Sequence, residues 1–293
     1  MSAVETELPR TESDPRAYAE ALRIRVQQEA LLRARQERLR TAWGRLAFAA
    51  GVLVAWELAS GRVMDEFFLS RPSAILTALW EMVRRESLLY HLQFTVLEAL
   101  AGYALGAGSG LLAGFGLARW ESLYRVLEPF IVALYGIPRI ALAPLFILWF
   151  GIGIASKIAV AAVMVFFIVL INTVVGVRSA PLPLLQVARV MGASEWDLIR
   201  KVVFPAATPF IVAALQITIP QAMIGAIVGE FISANRGVGH LINRAAGFLD
   251  TAGLFAGILT LLWVVLLMNH SVTALGNRWM RWNPRVRSSP EGM

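Results

Sequence analysis

The residue types that most often carry enzyme chemistry are either absent from this chain or wrongly spaced. Its 293 residues include no cysteine, which excludes disulfides, thiol catalysis and Cys-ligated zinc. His91, His240 and His270 are scattered without ligand spacing, so no metal site is predicted. A phosphate-binding loop needs Gly-x4-Gly-Lys-Ser/Thr, whereas Lys157 follows a serine and Lys201 follows an arginine. We therefore expect no catalytic residue, no bound cofactor and no ATP hydrolysis by this polypeptide alone.

Arg139 is the most informative charged residue, because it lies near the middle of the apolar stretch 127–150, between Pro138 and Pro144. A central arginine costs at least ~2.5 kcal/mol in membrane insertion, so it should face protein or water rather than lipid. The prolines should kink the helix, which is tolerated beside a cavity or a neighbouring helix. Pro138, Arg139 and Pro144 are therefore candidate residues of a solute pathway. The alternative is an arginine paired with a carboxylate such as Glu230, or with backbone carbonyls.

A second group of candidate pathway residues lies in the apolar stretch 210–233. Thr218, Gln221 and Gly225 share one helix face by their three- and four-residue spacing. Hydrogen bonding between packed helices is the alternative role for these residues. Glu230 lies near the end of the same stretch, where an interfacial carboxylate costs little, and it is a candidate gate residue.

The remaining carboxylates in apolar stretches suggest no reaction. Glu57 and Glu98 lie near the ends of their stretches and are expected to be packing or snorkelling residues. No pair of carboxylates is predicted to act as acid and base, so an enzymatic role has no positive support.

Long apolar helices must position these residues. The chain is 57% hydrophobic and 16% charged, whereas a soluble domain carries about 25% charged residues. A membrane span needs about 20 mostly apolar residues. Six stretches qualify, of which the first is the weakest: 43–60, 95–118, 127–150, 156–177, 210–233 and 254–272. We predict an all-α membrane protein with six transmembrane helices, the second of which carries a glycine every fourth residue from 102 to 114 and should pack closely.

The basic residues favour a topology with both termini in the cytoplasm. With the N-terminus inside, most of the 27 lysines and arginines fall on inside segments, as the positive-inside rule requires. The net charge of +7 is then mainly a topology signal, and no basic patch lies on a soluble module that could bind nucleic acid. Residues 1–42 are predicted to be a cytoplasmic extension, disordered to residue 15 and then a charged helix over 17–39. This helix would lie on the membrane surface or clamp a cytoplasmic partner, and residues 283–293 would be a cytoplasmic tail.

The segment 184–209, between the fourth and fifth spans, is predicted to form a compact helix–turn–helix. Its first helix should end at Gly192, the residue best suited to a left-handed C-terminal cap. Ser194 can cap the second helix, with Asp197 in a position like that of a capping box. Pro205 should prevent this helix from continuing. A stiff, self-capped element of this kind can transmit force from a soluble partner to the spans.

This segment resembles the EAA loop of bacterial ABC importer permeases, whose pattern is Glu-Ala-Ala, three residues, Gly, nine residues, then Ile-x-Leu-Pro. The chain has Gln186-Val187-Ala188, then Gly192, then Val202-Val203-Phe204-Pro205, with the family spacing but with Gln and Val replacing the first Glu and Ala. Three further stretches resemble the nitrate/sulfonate/taurine/bicarbonate-type permeases: LSRPSAIL (69–76), IPRIALAPLFILWFGIGIASKI (137–158) and VGEFISANRGVGHLI (228–242). Together the matches cover about residues 69–282.

The resemblance implies a homodimeric type I importer permease in a bacterial inner membrane. Its coupling helix, between spans 4 and 5, would sit in a groove of each of two ATP-binding subunits, which would hold ATP and Mg. A periplasmic or lipid-anchored binding protein would deliver the solute. The residues implied in the ATPase contact are Gln186, Ala188, Gly192, Ala193, Ser194, Glu195, Trp196 and Pro205.

The implied solute is a small anion, such as nitrate, a sulfonate, taurine or bicarbonate, which Arg139 from two copies would attract. The permeases this chain resembles also include carriers of pyrimidine- or flavin-like molecules. A self-sufficient secondary transporter or channel is the alternative, but it predicts an internal repeat and coupling-ion ligands near the midplane. We find no convincing repeat in the sequence.

Overall fold

The computed structural model describes residues 15–280, and within that range the chain is helical with no β-strand. One compact unit ends at Glu66 and a second begins at Phe67. In chain order the helices are α1 (Pro15–Ala59), α2 (Pro72–Arg85), α3 (Leu88–Arg119), α4 (Glu121–Gly136), a 3-10 turn (Arg139–Leu142), α5 (Ala143–Phe150), α6 (Ile154–Arg178), α7 (Leu182–Val190), α8 (Glu195–Leu198), a π-helical turn (Ile199–Val203), α9 (Phe204–Ser233), α10 (Val238–Gly247) and α11 (Thr251–Trp279).

The first unit is dominated by α1, which runs through 45 residues without interruption. The predicted charged helix (17–39) and the first predicted span (43–60) are therefore parts of one helix, with no break between them. After Pro15 the stretch contains no proline, and Gly44 and Gly51 each cost only about 1 kcal/mol of helix propensity, which is too little to break a helix of this length. The part of α1 that could cross a membrane is Val26–Ala59. The predictions for residues 1–14 and 281–293 lie outside the described residues.

The second unit contains four of the predicted spans as α3, α6, α9 and α11. Each of these helices is longer than the apolar stretch that predicted it. Within residues 15–280, five helices are long and apolar enough to cross a membrane, and a sixth span results if one bent pair is counted as a single crossing. The predicted all-α architecture with six spans is confirmed on that count.

The core of the second unit is α6, packed between α3 and α9. A Cβ atom at Gly106 of α3 would lie 2.3 Å from the carbonyl oxygen of Ala162 in α6. On the other side of α6, a Cβ at Gly225 of α9 would lie 2.6 Å from the Cα of Ala161. The predicted close packing of the glycine ridge is therefore confirmed, because neither helix could approach α6 this closely with a side chain at these positions.

The third predicted span is not one continuous helix. The structure divides 127–150 into α4 and the 3-10 turn with α5, and the two parts are bent by 87°. The break falls at Ile137, whose backbone is extended (φ −65°, ψ 135°). Pro138 causes it, because the proline ring disfavours the helical conformation of the preceding residue and supplies no N–H donor.

Candidate functional site

The segment 184–209 is named the coupling segment after its predicted role. Its turn has the geometry of a Schellman motif. Gly192 adopts φ +82°, a left-handed conformation that is open to glycine and costly for other residues. The Gly192 N–H donates to the carbonyl of Arg189 at 2.9 Å, and the Ala193 N–H donates to that of Ala188 at 3.0 Å. These are the two hydrogen bonds of the motif. The predicted cap at Gly192 is confirmed, and the carbonyl of Ala188 is what anchors it.

Ser194 begins the second helix as predicted. Its hydroxyl accepts from the Asp197 N–H at 3.2 Å and donates to the Asp197 carboxylate at 2.6 Å. The carboxylate thus accepts from the capping hydroxyl and also interacts with the backbone N–H of Ser194, as in a capping box. A hydrogen bond from Lys201 and the one from Ser194 lower the pKa of Asp197 to about 2, so the carboxylate stays ionised at neutral pH. These contacts cap the N-terminus of the short helix.

Glu195 is held by arginines that the sequence did not single out. Its carboxylate accepts from Nη1 and Nη2 of Arg119, both at 3.1 Å, and lies 3.5 Å from Nη2 of Arg189. Both nitrogens donate to the same oxygen, Oε2. Arg119 is the last residue of α3, so the contact ties the coupling segment to a span. A cavity of about 560 Å³, lined in part by Trp120 and Leu185, lies beside these residues.

Pro205 does not end the second helix, and that prediction is wrong. α8 passes through the π turn directly into α9, with Pro205 in the first turn of α9. In the π turn the Phe204 N–H donates to the carbonyl of Ile199, five residues back. This wider turn shifts the hydrogen-bond register. The missing N–H of Pro205 and the steric crowding by its ring therefore fall where the π turn joins α9, rather than inside a regular α-helix.

The tip of the coupling segment is apolar and exposed. Val190, Met191 and Trp196 are 90%, 81% and 69% exposed, and Val187 is also exposed. Leu198 and Val202, on the other side of the second helix, are buried in the chain. The segment therefore packs one apolar side inward and presents another side with no covering in the described chain. Exposed large apolar groups clustered on a stiff element are typical of an interaction site.

Arg139 lies at the break in the third span, half-buried. Its Nη1 donates to the backbone carbonyl of Met164 in α6 at 3.1 Å, and its guanidinium lies 4.9 Å from the ring centre of Tyr135. A backbone carbonyl was one of the two partners predicted for a structural arginine. The other predicted partner, Glu230, is bonded to other groups. The flanking Pro138 and Pro144 are exposed.

The three candidate pathway residues of α9 differ in their surroundings. Thr218 is buried, and its hydroxyl donates to the Ala214 carbonyl of its own helix at 2.8 Å. Gly225 is buried against α6, while Gln221 is half-buried. Thr218 and Gly225 are thus buried among packed helices in this conformation, and their place on a solute pathway stays a prediction.

A cluster of charged side chains lies where α3, α6 and α9 meet at the end away from the coupling segment. Glu98, Lys157 and Glu230 are 0%, 3% and 1% exposed. The Lys157 ammonium lies 3.0 Å from Oε1 of Glu98, and the Glu98 carboxyl is adjacent to that of Glu230. Glu98 is therefore a packing residue, one of the two roles predicted for it, whereas the expectation of an interfacial Glu230 is wrong because this carboxyl is buried within the chain. Helix packing, not position along the helix, buries these groups.

This cluster also holds the start of α10. Three consecutive backbone N–H groups point at three side chains: Gly237 donates to Nδ1 of His91 at 3.1 Å, Val238 to Oγ1 of Thr95 at 2.8 Å, and Gly239 to Oε2 of Glu230 at 2.6 Å. The first N–H groups of a helix have no partner inside it, so these side chains supply the cap. No group of three or more His, Asp or Glu with metal-site geometry occurs within residues 15–280.

Within residues 15–280 the chain is thus an all-α protein with five or six candidate membrane spans and a short, self-capped helical segment between α6 and α9. Residues 106–281 match the family model described as the binding-protein-dependent transport system inner membrane component. The chain belongs to this family, the membrane-spanning permease subunits of ABC importers.

Curated relatives are similar over most of the chain. RibX of Chloroflexus aurantiacus, named as a riboflavin transport system permease, is 37% identical over 74% of this chain and 81% of its own length. SsuC of Bacillus subtilis, named for transport of aliphatic sulfonates, is 34% identical over 89% and 94%. TauC of Escherichia coli, named as a taurine transport system permease, is 26% identical over 80% and 87%.

Solved structures agree on the fold. A chain of the inward-facing MetNI methionine ABC transporter is similar with a TM-score of 0.53 and 20% identity, over 73% of this chain and 99% of that one. A chain of an amino acid ABC transporter gives a TM-score of 0.51 at 16% identity, over 69% and 97%. These likenesses define the type I permease architecture.

Proposed function

We propose that two copies of this chain form the pathway of a bacterial importer that moves a small anionic solute, such as nitrate, a sulfonate, taurine or bicarbonate. Two separate ATP-binding subunits would carry ATP and Mg and dock on the coupling segments. A periplasmic or lipid-anchored binding protein would deliver the solute to the opposite face. The chain itself would lie in the inner membrane with both termini in the cytoplasm.

The observation that carries the proposal is the exposed apolar tip of the coupling segment. Val190, Met191 and Trp196 stand on a turn fixed by the Schellman motif and the Ser194 cap. Exposing these side chains to water is unfavourable, at about 25 cal/mol per Å² of apolar surface, and a groove in a partner would recover that free energy. Interfaces are enriched in such tryptophans and methionines.

The coupling segment is built so that a push on it reaches a span. Glu195 is tied to Arg119 at the end of α3, and the helix that begins at Glu195 continues through the π turn to Ser233. Closure of the ATPase dimer would therefore move α3 and α9 together. Movement of this helix pair relative to the same pair in the second copy would switch the pathway from inward-facing to outward-facing.

The solute class rests on Arg139 and on the relatives. A guanidinium has five N–H donors, and the hydrogen bond to Met164 uses one of them. The names of SsuC and TauC concern sulfonates and taurine, which carry a sulfonate group that such donors bind well. RibX is similarly close in sequence, so a flavin- or pyrimidine-like molecule is the second candidate cargo.

The docking proposal is tested by co-purification. The chain is tagged at its C-terminus, extracted gently from its native membrane, and compared with a variant whose 192–196 turn is a Gly-Ser linker. We expect a stoichiometric ATP-binding protein with the native chain, its loss from the linker variant, and weakened binding in Trp196→Ala. Trp263→Ala is the matched control, since Trp263 on α11 is 70% exposed but lies far along the chain from the turn.

Two results would contradict the proposal. One is an ATP-binding protein that remains bound to the linker variant at the native stoichiometry. The other is a native preparation without any ATPase that still moves solute across reconstituted vesicles, which would place the self-sufficient transporter first.

A further inference from the structure

The buried cluster at the far end of α3, α6 and α9 has an excess of negative groups. It contains the carboxyls of Glu98 and Glu230 and the ammonium of Lys157, each buried to at least nine-tenths. If all three were ionised, the cluster would carry a net charge of −1 out of contact with water. An uncompensated buried charge is strongly unfavourable, and such groups usually change protonation state instead.

The hydrogen bonds of Glu230 are those of an ionised carboxylate. Its Oε1 accepts from the Thr95 hydroxyl at 2.6 Å, and its Oε2 accepts from the Gly239 N–H at 2.6 Å. The Thr95 hydroxyl itself accepts from the Val238 N–H, so its proton is free to point at Glu230. Both oxygens of Glu230 are therefore acceptors, as an ionised carboxylate requires.

The hydrogen bonds of Glu98 are incomplete in the ionised form. Its Oε1 accepts from Lys157, but its Oε2 is buried and has no hydrogen-bond partner in the described chain. The neighbouring group is the Glu230 carboxyl, which as an ionised group can only accept. Two carboxylate oxygens can form a hydrogen bond with each other only when a proton lies between them.

We propose that Glu98 carries a proton on Oε2 and donates it to the Glu230 carboxylate, so that the cluster is a neutral proton-binding site. Lys157 is then the counter-charge of Glu230, and Oε2 of Glu98 gains the partner it lacks. Glu230 stays ionised, which makes it a strong acceptor for the first N–H groups of α10. The bound proton thus maintains the attachment of α10 to α3 and α9.

The other charged groups near the cluster do not offset its excess negative charge in place of the proton. Arg236 acts on Glu98 electrostatically, but it is exposed to solvent and lies over the ring of Phe94 at 4.5 Å, so it is not part of the buried cluster. His91 uses Nδ1 to accept from the Gly237 N–H, and its ring stacks on His240 at 6.0 Å. Arg244 pairs with Glu86, the residue that follows α2. Arg236, His91 and Arg244 thus each have a neighbour of their own.

Infrared spectroscopy tests for the proton directly. The purified chain in lipid nanodiscs, with ¹³C-labelled glutamate, should show the C=O stretch of a protonated carboxylic acid at neutral pH. We expect the band to disappear in Glu98→Gln and in Glu230→Gln, because one remaining carboxylate and Lys157 are then balanced. It should persist in Lys157→Met, which removes the cation, and in Glu81→Gln, a control at an exposed carboxyl of α2.

Hydrogen exchange distinguishes which glutamate holds the proton. Glu98→Gln keeps a donor toward Glu230, so exchange at the amides of Gly237, Val238 and Gly239 should stay as in the native chain. Glu230→Gln places an NH2 group against the Gly239 N–H or the Thr95 hydroxyl, so protection there should fall by about tenfold or more.

Each opposite result overturns the proposal. A native chain without the protonated-acid band has no bound proton at this site. Loss of amide protection in Glu98→Gln but not in Glu230→Gln would place the proton on Glu230 instead. Equal loss in both variants would mean that the carboxyls act only in packing.

Discussion

Arg139 combines two properties that are seldom found together, a position inside a membrane-spanning region and a charge without a carboxylate contact among its identified partners. Its bonds to the Met164 carbonyl and the Tyr135 ring orient the guanidinium without neutralising it. A positive charge held this way can attract an anion while its remaining donors stay available. This is the physical basis for placing it on the solute pathway.

We predict that Arg139→Ala inserts normally but transports poorly. Loss of a hydrogen bond to a charged group costs about 1.5–3 kcal/mol, so uptake at low solute concentration should fall by about 10- to 100-fold. Arg139→Lys should retain part of the uptake because it keeps the charge. Arg125→Ala, which removes an exposed arginine paired with Glu121, is the control. Unchanged uptake of labelled taurine, sulfonate, nitrate and bicarbonate in Arg139→Ala would remove this residue from the pathway.

At the scale of single residues, the sequence predicts local chemistry better than long-range pairing. The conformation of Gly192 and the cap at Ser194 depend on neighbours a few residues away, and both were predictable. The Glu98–Lys157 pair joins residues 59 apart on different helices, so no local pattern reveals it. The signal that could have found it is a lysine inside an apolar stretch, which must have an anionic partner.

Among the elements, the coupling segment owes its shape to caps more than to burial. α8 has four residues, far too few to be stable as an isolated helix. The Ser194 cap and the continuation into the π turn and α9 hold it in place. Its rigidity should therefore be sensitive to a change at the cap.

We predict that Ser194→Ala loosens this element without unfolding the chain. Removing an N-cap serine costs about 1 kcal/mol, so amide exchange over 195–203 should become about fivefold faster. Ser109→Ala is the control, because Ser109 donates to the Leu105 carbonyl within α3 and caps no helix. Exchange over 195–203 that is identical in the native chain and Ser194→Ala would show that Asp197 and Lys201 suffice to close the turn.

Two elements show where proline rules succeed and fail. At Pro138 the rule predicts a kink, and the structure has a break of 87° whose size depends on how α5 packs against α6. At Pro205 the same rule predicts a helix end, but the π turn carries the helix through. The rule concerns regular α-helix, so a change in hydrogen-bond register removes its premise.

For the molecule as a whole, the arrangement in the membrane is a prediction that the absence of cysteine makes easy to test. A single cysteine in place of Val190 should react with a membrane-impermeant maleimide only after the cells are opened, because the coupling segment is predicted to face the cytoplasm. A cysteine in place of Asn235, exposed between α9 and α10, should react in intact spheroplasts. The native chain is the background control. The reverse labelling pattern would show that the topology is the opposite of the one predicted.

The apolar stretches predicted the architecture because their length and composition are set by the bilayer. What they could not predict is the first unit, where α1 continues through the boundary between charged and apolar sequence. Charge changes where a helix prefers to lie, but it does not end the helix, so composition alone does not show that α1 is continuous. Glycine spacing predicted close packing but not the partner, which is α6.

The helix that begins at Glu195 and ends at Ser233 has 39 residues, so it is about 58 Å long. Over that length a tilt of about 5° at one end sweeps the other end through about 5 Å. The coupling segment and Glu230 therefore lie near opposite ends of one lever arm. The bending stiffness of residues 199–203, where the helix is wound more widely, and of the turns at Pro209 and Pro220 sets how much of a push at the first end arrives at the second.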